Sequence, residues 1–414
     1  MNVETAAATE PVAPEAPAAS YRRLFATPGL PPLLGSALLT RTATQMWTVG
    51  VILLALQRYH SAGLAGLGVF LLIFPGLSVS PLNGALLDRH GRRRLMMLDF
   101  SVAAACLLVI VVLSGTGLLP AWLLLSILAV GSLTSTLSIA GARSLFPLTV
   151  PRDLWDRANA TDSFGYGIAQ VAGPALAGGI AAALGSEAAL GFAALLYVLG
   201  AVVLRGVPEP ATPRDAGGRL GREVWRGVRY VVSNPTLRSL AVGLSIGNIG
   251  FGMVIVALPV LVFHLHGNAA VAGALLAVQG AVGVPAALLA GRLRTEGRER
   301  RIVAGCSVLA GAVTLVLLAP SLAALAVAMA LLGAVEGPLN VSVFSLRQRR
   351  TSPAWFGRAF AISISLNFSG MPLGSALSGP LLNRSLTLAI AIAAALPVLA
   401  GLLMLKLIPG EPAG

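Results

Sequence analysis

Charge is what this sequence has least of. Asp, Glu, Lys and Arg make up 11% of its 414 residues, against about a quarter in water-soluble domains. With 56% hydrophobic residues and a mean hydropathy of +0.84, the chain is excluded from the ordinary soluble globules. Cysteine is nearly absent: Cys106 and Cys306 are the two present. Both lie inside apolar runs, where each reads as a small buried hydrophobe, so no disulfide and no metal site is expected. The first twenty residues, MNVETAAATEPVAPEAPAAS, hold three glutamates and no basic residue. They lack the charged and apolar regions of a secretory signal, and residues 1–30 are expected to form a disordered tail. No phosphate-binding loop or dinucleotide fingerprint occurs, which disfavours ATP-driven chemistry by this chain alone and leaves no cofactor to expect.

What is present is hydrophobic length. About 20 apolar residues cross ~30 Å of hydrocarbon as a helix, and twelve such runs are found, at about 31–57, 62–87, 95–115, 119–146, 160–184, 187–206, 238–263, 269–291, 301–319, 321–346, 357–382 and 385–407. Helices are expected because every backbone amide in lipid must be satisfied within its own segment. The alternating pattern of a membrane barrel is missing. With loops assigned alternately to two sides, 26 Arg and Lys fall on the side of the termini, two (Arg58 and Arg384) on the other, and Arg41 inside a span. By the positive-inside rule both termini are cytoplasmic, and the expected location is the plasma (inner) membrane, crossed many times. The +13 net charge is then a topology signal, and nucleic-acid binding is not expected, since the basic residues sit in short loops.

The spans divide six and six. Residues 31–206 and 238–408 form two membrane halves, joined by a polar linker at 207–237 with an amphipathic helix around Val224, Val228 and Val231; residues 409–414 form a second tail. A shift of 207 residues aligns Gly66, Gly76, Gly84, Leu86, Arg93 and Arg94 with Gly273, Gly283, Gly291, Leu293, Arg300 and Arg301. A shift of 201 aligns Ser144, Leu145, Arg157 and Ala158 with Ser345, Leu346, Arg358 and Ala359. The fold expected is therefore all-α: twelve transmembrane helices in two six-helix bundles related by a parallel repeat.

Between the second and third runs stands GALLDRHGRRR. It resembles the G-x-L-x-D-R-x-G-R-R/K signature of the major facilitator superfamily at Gly84, Leu86, Asp88, Arg89, Gly91, Arg92 and Arg93, and the resemblance covers residues 25 to 408. It implies a cytoplasmic gate held by Asp88 and its arginines. The residue types have the chemistry for it. An acid among arginines makes a breakable charge-assisted latch, Gly91 permits a tight turn, and Gly84 is expected to let helices approach closely. In the second copy Thr295 replaces Asp88, so a latch there is expected to be weaker or absent.

GYGIAQVAGPALAGG in the fifth run resembles the glycine-proline motif of antiporters in this superfamily, through Gly173, Pro174, Gly178 and Gly179. That resemblance implies efflux. The loops LFPLTVPRDLWDRANATDS and REVWRGVRYVVSNPTLRSL are similar to those of its macrolide-efflux and siderophore-export branch.

A charge at the bilayer centre costs about 2.5 to 3.5 kcal/mol on insertion scales and calls for a partner or a wet cavity. Arg41 and Glu336 lie at that depth. Helical spacing puts Arg41 with Gln45 and Thr48 on one face of span 1, and Glu336 with Asn340 and Val343 on one face of span 10. The family resemblance implies that spans 1 and 10 both line a central cavity, so Glu336 is a candidate carrier of coupling charge with Arg41 as its modulator. Asp99 and Asp162 are expected to be structural, near cytoplasmic helix ends. GLSIG at 243–247 matches a hydrolase motif that belongs on a strand-to-helix turn, yet it falls within a span, remote from His264 and His266.

The expectation is a monomeric secondary transporter, not an enzyme, that exports small amphipathic organic molecules in exchange for protons. The alternatives are an uptake symporter of the same fold and a membrane enzyme or scaffold without transport.

Overall fold

The computed structural model describes residues 21–208, 220–290, 297–352 and 356–410. All of its regular structure is helical. The twelve spans are Leu30–Arg58, Ala62–His90, Arg92–Gly115, Ala121–Thr149, Trp155–Leu184, Ser186–Leu204, Pro235–His264, Ala269–Ala290, Glu299–Thr314 with a 3₁₀ turn to Leu318, Leu322–Arg350, Phe356–Arg384 broken at Ser369, and Leu386–Leu407. They are called spans 1 to 12 below. Among the described residues, ten helices are long and apolar enough to cross a membrane individually. Span 1 carries Arg41 and a run of threonines, and span 11 is in two pieces; both complete the bundle by packing.

Local sequence sets the boundaries. Ser61 caps span 2 by accepting from the Leu64 amide, Asn234 caps span 7 through the Leu237 amide with Pro235 in the first turn, and Ser385 caps span 12 through Leu388. Each satisfies an amide donor that the helix leaves open. Gly91 turns the chain between spans 2 and 3 at φ +91°, a conformation that suits a residue without Cβ. Span 11 breaks because Pro372 has no amide hydrogen for the carbonyl four residues back, and that carbonyl belongs to Phe368, where the first piece ends.

The contacts repeat as the sequence repeats. Span 1 packs on 5 and 6, 2 on 4, and 3 on 4 and 6; span 7 packs on 11 and 12, 8 on 10, and 9 on 10 and 12. A side-chain clamp repeats too. Arg93 donates to the carbonyl of Val207 (2.8 Å) beyond span 6, and Arg300, its equivalent, donates to that of Ile408 (3.2 Å) beyond span 12. Between the halves, span 5 meets 8 and span 2 meets the second piece of 11, with a smaller contact of span 7 on spans 1 and 2 around Val256.

Those two crossings are made by small residues. A Cβ placed on Gly178 would lie 2.7 Å from the Gly273 Cα and 2.5 Å from the Ala269 carbonyl oxygen, and Gly66 and Gly379 meet the Ser375 carbonyl and Gly63 as closely. All lie toward the ends of their spans remote from the chain termini. On the terminal side the first piece of span 11 packs instead on span 7 and on the linker helix Leu220–Ser233. The closest backbone approaches between the halves therefore lie on the far side, and the contact of span 5 with span 8 continues through Gly280 against Gln170 and Gly167 against Val284.

One expectation about the tails changes. Residues 21–30 are not tail: Tyr21–Phe25 is a helix, Leu24 and Leu30 are buried with Val150 and Leu154, and Arg23 pairs with Asp153 at 2.6 Å. An apolar side chain every few residues is enough to hold such a segment down. The linker helix buries Val231 against Leu237 and Ile362 and leaves Trp225, Arg226 and Arg229 exposed; residues 1–20, 209–219 and 411–414, and the side chain of Val224, lie outside the described residues.

Candidate functional site

Arg41 is held by span 5. Its guanidinium reaches Asp162 Oδ1 at 2.9 Å, donates to Oδ2 at 3.1 Å and to the Asp162 carbonyl at 3.2 Å, and lies 5.6 Å over the Tyr166 ring. Two parallel bonds to one carboxylate make a strong, oriented pair. Asp162 and Tyr166 are four residues apart and so share a helix face. The pair borders a cavity of about 140 Å³ lined by Arg143, Asn159 and Trp155 as well.

Glu336 is held by amides. Gln279 of span 8 donates to its Oε2 at 3.2 Å, and Asn340, one turn along span 10, is its second hydrogen-bonding neighbour. Tyr166, half-exposed, lies within the electrostatic reach of both Arg41 and Glu336. The two charged stripes thus face the same space, with the Tyr166 ring interposed. The anticipated service of Arg41 to Glu336 gives way to the Arg41–Asp162 pair, because span 5 packs directly on span 1 and delivers an acid first. Val343 also leaves the expected stripe: it is buried with Leu240 and Leu346.

Gln45 and Thr48 contribute differently. Gln45 is half-buried with its Cβ against Gly173, and Thr48 returns its hydroxyl to the Thr44 carbonyl at 3.1 Å. In the glycine-proline segment, Gly173 admits Gln45, Gly178 admits Gly273, and the Pro174 carbonyl faces Gly273. Gly179 meets nothing within 4 Å, since it points away from both crossings. Gly84 likewise meets nothing within 4 Å among the described residues, so no close helix approach occurs there.

In the gate motif, Leu86 is half-buried, Arg89 is exposed, and Arg92 opens span 3 beside the Arg93 clamp. The side chain of Asp88 and the whole of Thr295 lie outside the described residues. The second half carries an ion pair near the equivalent place, between spans 9 and 10. Glu299, at the position equivalent to Arg92, is 3% exposed and lies 3.3 Å from Arg349 at the end of span 10. The acid stands four residues farther along the sequence than Thr295, and a strict alignment misses it.

Three site residues carry a signal in the sequence that charge alone does not bring out. Gln279 is the one polar side chain in AAVAGALLAVQGAVGVPAALLA, Asp162 is the nearest acid able to reach Arg41 from a neighbouring span, and Tyr166 follows it by one turn. Ser245, the hydrolase decoy, is helical and contacts the Ser369 hydroxyl at 3.3 Å.

The Arg41 pair has a measurable weight. Because the ion pair is about one-quarter to one-third exposed, its removal is expected to cost less than a fully buried pair. Arg41→Ala alone strands the Asp162 charge and should lower the detergent melting temperature. Arg41→Ala with Asp162→Asn should recover part of it, with a coupling of roughly 0.5–3 kcal/mol in a double-mutant cycle. Additive losses would show that the two charges are held separately.

Two helix bundles joined at two crossings, with a charged polar space between them, define a membrane transporter that works by moving one bundle against the other. The family profile described as Major Facilitator Superfamily matches residues 33–375 and 240–414. An uncharacterized MFS-type transporter, y4rN, of Sinorhizobium fredii is 38% identical over 394 residues, covering 94% of this chain and 97% of that one. The multidrug efflux pump Tap of Mycobacterium tuberculosis is 28% identical over 381 residues, covering 86% and 87%. Among solved structures, the nucleoside transporter NupG superposes with a TM-score of 0.71 at 12% identity, over 92% of this chain and all of that one. A bacterial homologue of the human lysosomal transporter Spinster, inward-facing and unoccupied, gives 0.68 at 14%, over 92% and 98%. The chain belongs to the major facilitator superfamily. It is a multi-pass membrane transporter of small molecules and not an enzyme.

Proposed function

We propose that the chain is a proton-coupled exporter of small amphipathic organic molecules, working as a monomer in the plasma membrane with both termini in the cytoplasm. The observation that carries the reading is Glu336. It is a carboxyl at mid-membrane, its described hydrogen-bonding partners are the neutral amides Gln279 and Asn340, and it faces the space between the halves. A carboxyl without a fixed counter-cation can hold either a proton or a substrate, which is what exchange requires. The arginine asymmetry supports the orientation. Efflux is supported by the glycine-proline segment and by the likeness to Tap, a multidrug efflux pump.

Direction is tested in proteoliposomes loaded at acid pH and diluted into alkaline medium with the amphipathic dye ethidium. An exchanger accumulates the dye as protons leave. A symporter, the opposite direction in the same fold, would expel pre-loaded dye under the same gradient.

A further inference from the structure

A second carboxyl lies deep in the N-terminal half, and exchange at Glu336 gives it no role. Asp99 is the eighth residue of span 3 and 3% exposed. Span 4 turns the hydroxyls of Ser138 and Thr134 to it, and Tyr197 of span 6, which is 5% exposed, lies within its electrostatic reach. The Tyr197 hydroxyl is 2.8 Å from that of Thr44 on span 1, either oxygen able to donate. Thr44 is exposed, one turn from Arg41. A bonded pair of hydroxyls, Thr44 and Tyr197, therefore stands near a buried acid.

Charged neighbours do not account for it. On span 3 itself Arg92, Arg93 and Arg94 stand at the helix start, with Arg93 clamped to Val207 and Cys106 two turns farther on. Arg143 of span 4 is exposed, Arg89 and His90 end span 2 exposed, Arg205 of span 6 caps that helix, and Arg41 of span 1 is paired to Asp162. None of these cations is among the groups that act on Asp99, whose partners are hydroxyls and a backbone group. A purely structural acid in so apolar a place would be expected to have a cation beside it.

We propose that Asp99 is a second proton-carrying carboxyl, reached from the central space through the hydroxyls of Thr44 and Tyr197. This rests on the proton-coupled reading and adds a carrier to it. The transfer is an exchange along oxygens: the Tyr197 oxygen accepts a proton from the Thr44 side as it releases its own toward Asp99, so one proton moves and no covalent product remains. Span 4 has an alternative bond for each hydroxyl. Ser138 also donates to the Ser135 carbonyl (3.1 Å) and Thr134 to that of Gly131 (3.4 Å). An ionised Asp99 draws both toward span 3; a protonated one releases them to their own helix. The proton thereby sets how tightly spans 3 and 4 are joined.

The test is infrared titration of the C=O band of protonated carboxyls in purified protein, joined to ethidium–proton exchange in proteoliposomes. Wild type should show a titrating band that Asp99→Asn deletes and Glu336→Gln leaves. Asp99→Asn should also remove one step from the pH profile of exchange and one proton from the stoichiometry. Tyr197→Phe keeps the ring and the packing; it should retain the band and slow its response to a pH jump. If Asp99→Asn fails to fold, the Tyr197→Phe response decides. No titrating band assigned to Asp99, or an unaltered response in Tyr197→Phe, overturns the proposal. A titrating Asp99 band in a protein whose ethidium flux ignores the pH gradient would sink the coupling reading instead and leave Asp99 as a proton site.

Discussion

Gly178→Leu is expected to stop transport while leaving insertion intact. Its new side chain would start 2.7 Å from the Gly273 Cα and 2.5 Å from the Ala269 carbonyl, against backbone that cannot swing aside as a flexible side chain can. Overpacking of a tight contact costs typically ~1–3 kcal/mol, and a bias of that size shifts a two-state equilibrium by about 5- to 150-fold. The far-side crossing forms in the conformation described here, so the variant should favour one parted on the far side. Cysteine labelling of Ser375, buried at the second crossing, checks this in a Ser375→Cys background: labelling from the far side should rise in the leucine variant. Gly179→Leu is the control, since nothing lies within 4 Å there. Equal labelling with normal flux would mean that the glycines of span 5 merely fill space.

Glu336→Gln should remove the share of coupling that this carboxyl supplies. A gradient of one pH unit is worth about 1.4 kcal/mol per proton, or about a tenfold dye ratio for each proton exchanged per dye. Loss of the proton that Glu336 exchanges should therefore lower the ratio about tenfold, and the pH dependence contributed by this group should vanish. Dye exchange without a gradient can persist, because glutamine keeps the size and hydrogen-bonding reach toward Gln279 and Asn340. Gradient-driven accumulation equal to wild type, measured with ethidium in the same vesicles, would move coupling away from Glu336.

The fold was legible because lipid leaves so few options. Span ends read from hydropathy fall within a few residues of the helices, and the break in span 11 could have been read from Pro372. The repeat was legible at Arg93 and Arg300, whose matching clamps follow from matching sequence. Side-chain partnership was harder. Spacing sets Arg41 and Glu336 on definite helix faces, but the partner of Arg41 depended on which helix packs nearest, and span 5 lies against span 1 with Asp162 in reach. Glu299 was hidden because its equivalent in the first half is a base, Arg92, so the alignment carries no sign of an acid there. Gly84 shows a further limit: a glycine in a motif does not by itself say that a neighbouring helix comes close, and here none among the described residues does within 4 Å.

The glycine crossings divide their helices unequally, and that has a mechanical consequence. From Gly178 back to Trp155 the fifth span runs 23 residues, about 35 Å, whereas from Gly178 on to Leu184 it runs six, about 9 Å, at 1.5 Å per residue. A helix pivoting at that point is a lever with a long arm and a short one. A tilt of roughly 10° would carry the long end about 6 Å and the short end less than about 2 Å. Between two conformations of such a helix, the long end therefore sweeps a wide arc for a small displacement of the short one.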